Sequence, residues 1–135
     1  VHPNEHVNRS QSTNDVYPTA IRLALHAELD ALRAALGALA DALAAKGAEF
    51  AHVVKMGRTQ LQDAVPMTLG REFTAFANTL REDVDRLGEA QGLIREINMG
   101  ATAIGTGITA DPRFAEAVRR HLCAVTGLPL VTAPD

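Results

Sequence analysis

The first residues that suggest chemistry are two histidines and a glutamate in the stretch HPNEH at positions 2 to 6. His2, Glu5 and His6 match the His-x-x-Glu-His spacing of one class of zinc protease, in which the histidines hold the metal and the glutamate activates its water. That arrangement needs a regular helix, and Pro3 directly after His2 disfavours one. We therefore expect an ordered polar loop at this position, with no metal site.

A second group of polar residues, SQSTND, lies immediately before the first predicted helix. The side chains of Ser12, Thr13 and Asn14 and the free backbone N–H groups of the first helical turn would converge on one point, at the positive end of the helix dipole. Such a point is suited to a carboxylate or a phosphate. The alternative is ordinary helix capping, which needs only one such residue. Four stand in a row here, so the residues leave both interpretations open.

Two further loops contain polar or glycine-rich sequences. GRTQLQD places Thr59 and Gln60 between two long predicted helices, where they form either part of a binding loop or a solvated connection. GATAIGTG follows a helix rather than a strand and lacks a Gly-Lys-Ser/Thr ending, so we expect no nucleotide site. Its glycines indicate a tight backbone crossing instead. Cys123 has no activating partner in the sequence and is expected to be an ordinary helical thiol.

Three helices must position these loops. Apolar residues recur every three or four positions along the first helix, predicted from near Asp15 to Gly47; they are Ile21, Leu25, Leu29, Leu32, Leu36, Leu39 and Leu43. A second helix is predicted from Thr68 to Asn98. A third begins at Asp111-Pro112 and ends at Gly127. The ending LPLVTAPD is expected to be extended.

These elements predict an all-α fold, a bundle of long helices, because no stretch alternates convincingly between apolar and polar residues. The predicted organisation is a single partial domain in three segments. Residues 1–14 form a polar loop, and residues 15–110 form a long helical pair with a connecting loop at 47–67. Residues 111–135 form the third helix and an extended tail.

Composition excludes several classes of function. A net charge of −3 and a pI near 5.9 give no electrostatic basis for binding nucleic acid or an anionic membrane surface. Charged residues interrupt every apolar run, so no membrane span is expected. A single cysteine suits the reducing cytoplasm. The chain opens on Val rather than Met, and we expect it to be part of a longer protein.

Three stretches together resemble the aspartase/fumarase superfamily: VHPNEHVNRSQSTNDVYPTA, KMGRTQLQDAVPMTLGREF and GATAIGTGIT. The resemblance extends in order over essentially the whole chain. It implies a fragment of the central helical domain of a homotetramer, in which loops from three subunits form each active site. Ser12, Thr13, Asn14, Thr59 and Gln60 match substrate-binding residues of the superfamily.

The resemblance also implies what lies outside that substrate site. His2, Asn4 and Glu5 match a peripheral dicarboxylate site of the fumarases. No catalytic residue is expected within the fragment, because the general base of the superfamily is a serine that would lie beyond Asp135. No cofactor is implied, and activation by a divalent cation is compatible with the sequence but not required by it.

The sequences SQSTND and GRTQLQDAVPMTLG most resemble the bacterial ammonia-lyase branch of the superfamily. Enzymes of this branch catalyse the anti elimination of ammonia from L-aspartate to give fumarate. Class II fumarases usually have a histidine where Gln60 stands. Arg71 departs from the usual glutamine, and the ending TGLPLVTAP is more like the fumarases, so a class II fumarate hydratase is the alternative. A helical interaction module without chemistry would explain the leucine pattern, but not the clustered polar residues.

Overall fold

A computed structural model gives the positions of residues 1–134. After a short π-helical turn at Pro3–Val7, the chain forms helix α1, the strand pair β1 and β2, helix α2, strand β3, helix α3 and strand β4. Their bounds are Val16–Glu49, Val54–Thr59, Gln62–Thr68, Leu69–Leu93, Glu96–Ile97, Phe114–Thr126 and Val131–Thr132. Long helices dominate, which confirms the predicted all-α class. None of the helices in residues 1–134 is long and apolar enough to cross a membrane.

The chain divides into two compact units. The first contains Val1–Glu28 and the residues from Ala90 onward, and the second contains Leu29–Glu89. The first unit is built on a small core of Ile97, Met99 and Leu130, which are all buried. Partly buried apolar residues pack against this core, namely Val16, Leu23, Phe114, Val118, Leu122, Cys123 and Leu128. The core therefore anchors the start of α1 together with the glycine-rich segment that follows β3.

An antiparallel hairpin, β1 with β2, occupies most of the segment predicted as the connecting loop 47–67. The sequence pattern did not predict this hairpin, because most of its residues are exposed and no apolar face alternates with a polar one. An irregularity in the pairing between Met56 and Arg58 breaks the alternation further. The turn also lacks the Asn-Gly or Asp-Gly pair that marks a two-residue hairpin loop.

The helix bounds differ from those predicted, except at the C-terminal end of α3. Helix α3 begins at Phe114 rather than at Asp111-Pro112, and Arg113 rather than Asp111 is its N-cap. Helix α2 ends at Leu93 rather than Asn98, because Glu96–Ile97 forms strand β3, which pairs with β4 in parallel. The tail LPLVTAPD, predicted to be extended, contains strand β4 at Val131–Thr132, while its last residue, Asp135, lies outside the described residues. Gly127 closes α3 in the left-handed conformation, with φ of 71°. Before α3, the carboxylate of exposed Asp111 accepts hydrogen bonds from the side chain and backbone of Arg113, which lower the pKa of Asp111 to about 2.

Gly47 does not end α1, which continues to Glu49. Gly47 instead allows close packing, because its backbone contacts the backbone of Gly70 within the second unit. A Cβ atom on Gly70 would lie 2.3 Å from the carbonyl oxygen of Gly47 and 2.7 Å from Cα of Ala51. Two backbone hydrogen bonds hold this contact, from Leu69 to Val53 (2.8 Å) and from Gly70 to Phe50 (3.0 Å). Only glycine fits where the start of α2 meets the end of α1.

We expect Gly70→Ala to destabilise the intact protein by roughly 1–3 kcal/mol, because the added methyl group overpacks a backbone contact. The matched control is Gly92→Ala in the same helix. A Cβ atom on Gly92 meets nothing within 4 Å, so this variant should gain up to about 1 kcal/mol of helix propensity. Thermal and urea unfolding measure both changes. Equal stability of the two variants would contradict the role given to Gly70.

Candidate functional site

The HPNEH stretch forms one π-helical turn, so the expectation of a non-helical loop was wrong. Pro3 occupies the first helical position, where a missing N–H costs nothing. Nδ1 of His2 caps the turn by accepting the backbone N–H groups of Asn4 (3.3 Å) and Glu5 (3.2 Å). Nδ1 of His6 accepts the N–H of His2 at 2.9 Å. The two imidazoles therefore order a polar turn, which explains their spacing without a metal.

No group of three or more His, Cys, Asp or Glu side chains in residues 1–134 is arranged to hold a metal ion. We expect zinc to bind the intact protein no more tightly than it binds scattered surface histidines. Replacing both His2 and His6 by alanine should leave zinc affinity unchanged in a calorimetric titration. His52→Ala, which removes an exposed histidine elsewhere, is the control. Stoichiometric zinc that only the His2/His6 variant loses would restore the zinc-site hypothesis.

Residues 12 to 15 form a capping turn at the start of α1. The Ser12 hydroxyl accepts the N–H of Asn14 (3.2 Å), and the carboxylate of Asp15 accepts the N–H of Ser12 (2.9 Å). This reciprocal arrangement resembles a capping box with an aspartate in the acidic position, but it closes the turn that precedes Val16, the first residue of α1. Hydrogen bonding within this turn therefore accounts for Ser12 and Asp15. Thr13 and Asn14 are exposed, and their side chains make no hydrogen bond to residues 1–134, so they are available to a ligand.

The glycine-rich segment after β3 lies against this capping turn. The side-chain amide of Asn98 donates to the carbonyl oxygen of Asn14, and the backbone N–H of Thr102 donates to Asp15 at 3.2 Å. Gly100, Gly105 and Gly107 all have positive φ, as expected for a tight backbone crossing. Two hydrogen bonds from the glycine-rich segment therefore fix the turn that contains Ser12, Thr13 and Asn14. The sequence did not predict this contact.

An open groove of about 550 Å³ borders Ser12 and Thr13. Its other lining residues are Asn8, Gln11, Val16, Tyr17 and Ala20. The amide nitrogen of Gln11 donates to the carbonyl of Val7 (2.8 Å), while its amide oxygen is buried with no partner among the described residues. Two residues that carry hydroxyl groups, Ser12 and Thr13, and the aromatic side chain of Tyr17 therefore border a space that is large enough for a small dicarboxylic acid.

Thr59 and Gln60 lie at the tip of the hairpin, in the second unit. Thr59 pairs with Gln62, and the two turn residues between them, Gln60 and Leu61, have φ of 49° and 64°. Positive φ at both positions is the geometry of a type I′ turn. It costs roughly 1–2 kcal/mol for each residue that has a Cβ atom. Backbone strain of this kind clusters at functional sites, and here it occurs where an exposed amide stands at the end of the hairpin.

Sequence reasoning missed Asp15 and Thr102. The Ser-x-x-Asp spacing of a capping box was present in SQSTND and could have identified the aspartate. Nothing in GATAIGTG marked Thr102, because its conformation and its partner depend on residues 87 positions away.

The chain is similar over its whole length to known lyases. A model of the lyase family matches residues 1–135. Aspartate ammonia-lyase of Pseudomonas fluorescens is 62% identical over 136 residues, which cover 100% of this chain and 28% of the relative. The enzyme of the same name from Helicobacter pylori (strain ATCC 700392 / 26695) is 53% identical, over 98% of this chain and 28% of the relative. That from Escherichia coli (strain K12) is 47% identical, over 100% and 28%.

Two solved structures have a similar fold. The chain matches fumarate lyase:delta crystallin from Brucella melitensis, bound to cobalt, with a TM-score of 0.86 and 56% identity, over 100% of this chain and 29% of that one. It matches a class II fumarase from Schistosoma mansoni with a TM-score of 0.77 and 39% identity, over 94% and 27%. The chain thus spans less than a third of the length of these proteins.

Proposed function

We propose, because the chain belongs to the lyase family, that it forms the substrate-binding part of an aspartate ammonia-lyase. The reaction is the reversible anti elimination of ammonia from L-aspartate to give fumarate. The observation that supports this most directly is the identity of 47–62% to proteins named aspartate ammonia-lyase. A fumarase structure is less similar, at 39%.

The difficult step in this elimination is removal of a proton from the carbon next to the side-chain carboxylate. The carboxylate then becomes a dianion, and donors fixed in advance at the developing charge lower its energy. The hydroxyls of Ser12 and Thr13 and the amide of Asn14 are suited to this role, because they stand at the N-terminus of the 34-residue helix α1. The general base is proposed to lie outside these 135 residues.

Gln60 is proposed to orient the leaving amino group. A glutamine carbonyl can accept a hydrogen bond from an ammonium group, but the amide does not titrate near neutral pH. Ammonia departs readily when the amino group is already protonated, so orientation suffices. Hydroxide is a poor leaving group, so elimination of water benefits from an acid at this position. The amide at the hairpin tip therefore favours ammonia over water.

The test is made on the intact protein. We expect fumarate and ammonia to form from L-aspartate, and fumarate to be consumed only when ammonium is present. Class II fumarate hydratase is the second candidate, favoured by the fumarase-like ending TGLPLVTAP. Efficient conversion of fumarate to malate without ammonium would establish that candidate and reject ours. An interaction module would turn over neither substrate.

We further propose an oligomeric state, a cellular location and a second binding site. Half-exposed Leu32 and Leu39, seven residues apart on α1, and exposed Phe76 on α2 need apolar partners, which supports a homotetramer with shared active sites. The single cysteine supports a cytoplasmic location. His2, Asn4 and Glu5 are all exposed and are proposed to form a peripheral dicarboxylate site. No cofactor is proposed.

A further inference from the structure

Asp15 is the only carboxylic acid in residues 1–134 that is fully buried. Its two side-chain oxygens have different partners. Oδ2 accepts the backbone N–H of Ser12 at 2.9 Å, and Oδ1 accepts the backbone N–H of Thr102 at 3.2 Å. The first bond closes the capping turn before α1, for which an exposed aspartate would suffice. The second bond and the burial have no function in capping.

Thr102 is in an unfavourable conformation for its residue type. Its φ is 64°, although a β-branched side chain strongly disfavours the left-handed region. Only 4% of its surface is exposed, and its buried hydroxyl has no hydrogen-bond partner in the described part of the chain. Within residues 1–134, Thr102 makes one hydrogen bond, from its N–H to Asp15. A strained residue persists where its surroundings over-determine its conformation, and here that conformation directs a backbone N–H at a carboxylate.

From this geometry we infer that Asp15 is a positioning residue, which fixes the substrate-binding residues Ser12, Thr13 and Asn14 in space by joining them to the glycine-rich segment around Thr102. This inference rests on the proposed function. Asn98 also fixes these residues, because its side-chain amide donates a hydrogen bond to the carbonyl oxygen of Asn14. The substrate residues are thereby held at both ends, at the N–H of Ser12 and at the carbonyl of Asn14.

We expect the loss of the Asp15 carboxylate to lower the catalytic rate and not only the stability of the protein. Donors that stabilise a developing charge must be placed before the reaction begins. A displacement of about 1 Å at such a site can lower the rate about 100-fold. Asp15 touches no substrate atom in this scheme and acts only through the residues that it holds.

The test compares two Asp15 variants with a control in the intact enzyme. Asp15→Asn keeps the size of the side chain but presents an NH₂ group to one of the two backbone N–H groups. Asp15→Glu keeps both acceptors but inserts a methylene group between the two segments. The control is Thr19→Val, which removes another buried hydrogen bond to Asp15, from the Thr19 hydroxyl in α1 to the backbone carbonyl of Asp15 at 2.7 Å. It leaves both bonds of the carboxylate intact.

We expect each Asp15 variant to lower kcat/KM about 100-fold. Hydrogen exchange should accelerate in the peptides that contain Ser12 and Thr102. Thr19→Val should retain wild-type kcat/KM even where its loss of thermal stability matches that of Asp15→Asn. The inference is overturned if Asp15→Glu has wild-type kcat/KM, or if Thr19→Val loses as much activity as the Asp15 variants at equal stability.

The wild-type enzyme separates this inference from the proposed function. If it hydrates fumarate without ammonium, the ammonia-lyase proposal fails, and the ratio of variant to wild-type rates in that hydration still tests the role of Asp15. If it releases ammonia from L-aspartate and the Asp15 variants do so equally well, the proposed function stands and the positioning role is wrong.

Discussion

Replacing Thr13 by valine is expected to lower kcat of the intact enzyme by about 100- to 1000-fold, the usual loss when one preorganised donor to a developing oxyanion is removed. Valine keeps the shape of threonine and deletes only the hydroxyl. Thr13 is exposed at the start of α1, and its hydroxyl makes no hydrogen bond within residues 1–134. The change should therefore leave the capping turn and its stability intact.

Ser12 offers a less clean test of the same idea. Its hydroxyl accepts the N–H of Asn14, so Ser12→Ala would remove a hydrogen bond of the turn before α1 as well as a substrate donor. Loss of one such hydrogen bond typically costs about 0.5–1.5 kcal/mol of stability. Thr79→Val is the control for Thr13, because Thr79 is exposed and its hydroxyl bonds only to the carbonyl of Ala75. If kcat of Thr13→Val equals that of Thr79→Val, the hydroxyl of Thr13 takes no part in stabilising the dianion.

Gln60→Ala is expected to cost roughly 1–3 kcal/mol of transition-state stabilisation, through the hydrogen bond no longer made to the leaving amino group. Alanine and glutamine both have a Cβ atom, so the left-handed backbone at φ of 49° is equally strained in the two proteins. The hairpin should keep its conformation, and the loss should appear in kcat/KM for L-aspartate without a change in thermal stability.

The control for Gln60 is Gln62→Ala. Gln62 is exposed and pairs with Thr59 in the hairpin, so this variant deletes the same side chain two residues from the tip. We expect wild-type kcat/KM for it. A Gln62→Ala loss as large as that of Gln60→Ala would show that the hairpin as a whole, rather than the amide at its tip, determines the rate.

Local sequence was sufficient for several parts of the molecule. The recurring leucines of α1 predicted a long helix, and Gly127 predicted the end of α3, because helix periodicity and a left-handed C-cap depend on neighbouring residues. The polar residues at 12 to 14 were identified for the same reason, since capping is decided within one turn. The prediction that Thr59 and Gln60 belong to the binding site rests on resemblance, and the kinetic experiments above test it.

What the sequence alone determined about this protein is therefore its helical class, its family resemblance and the residue types of its candidate site. Tertiary structure decided the rest. Gly47 had the local properties of a helix end, but the approach of Gly70 makes it an interior residue of α1. Asp15 had the properties of a simple cap, but the distant N–H of Thr102 gives its carboxylate a second partner. Contacts between residues far apart in the chain leave no periodic signal, because each depends on where the backbone places both partners.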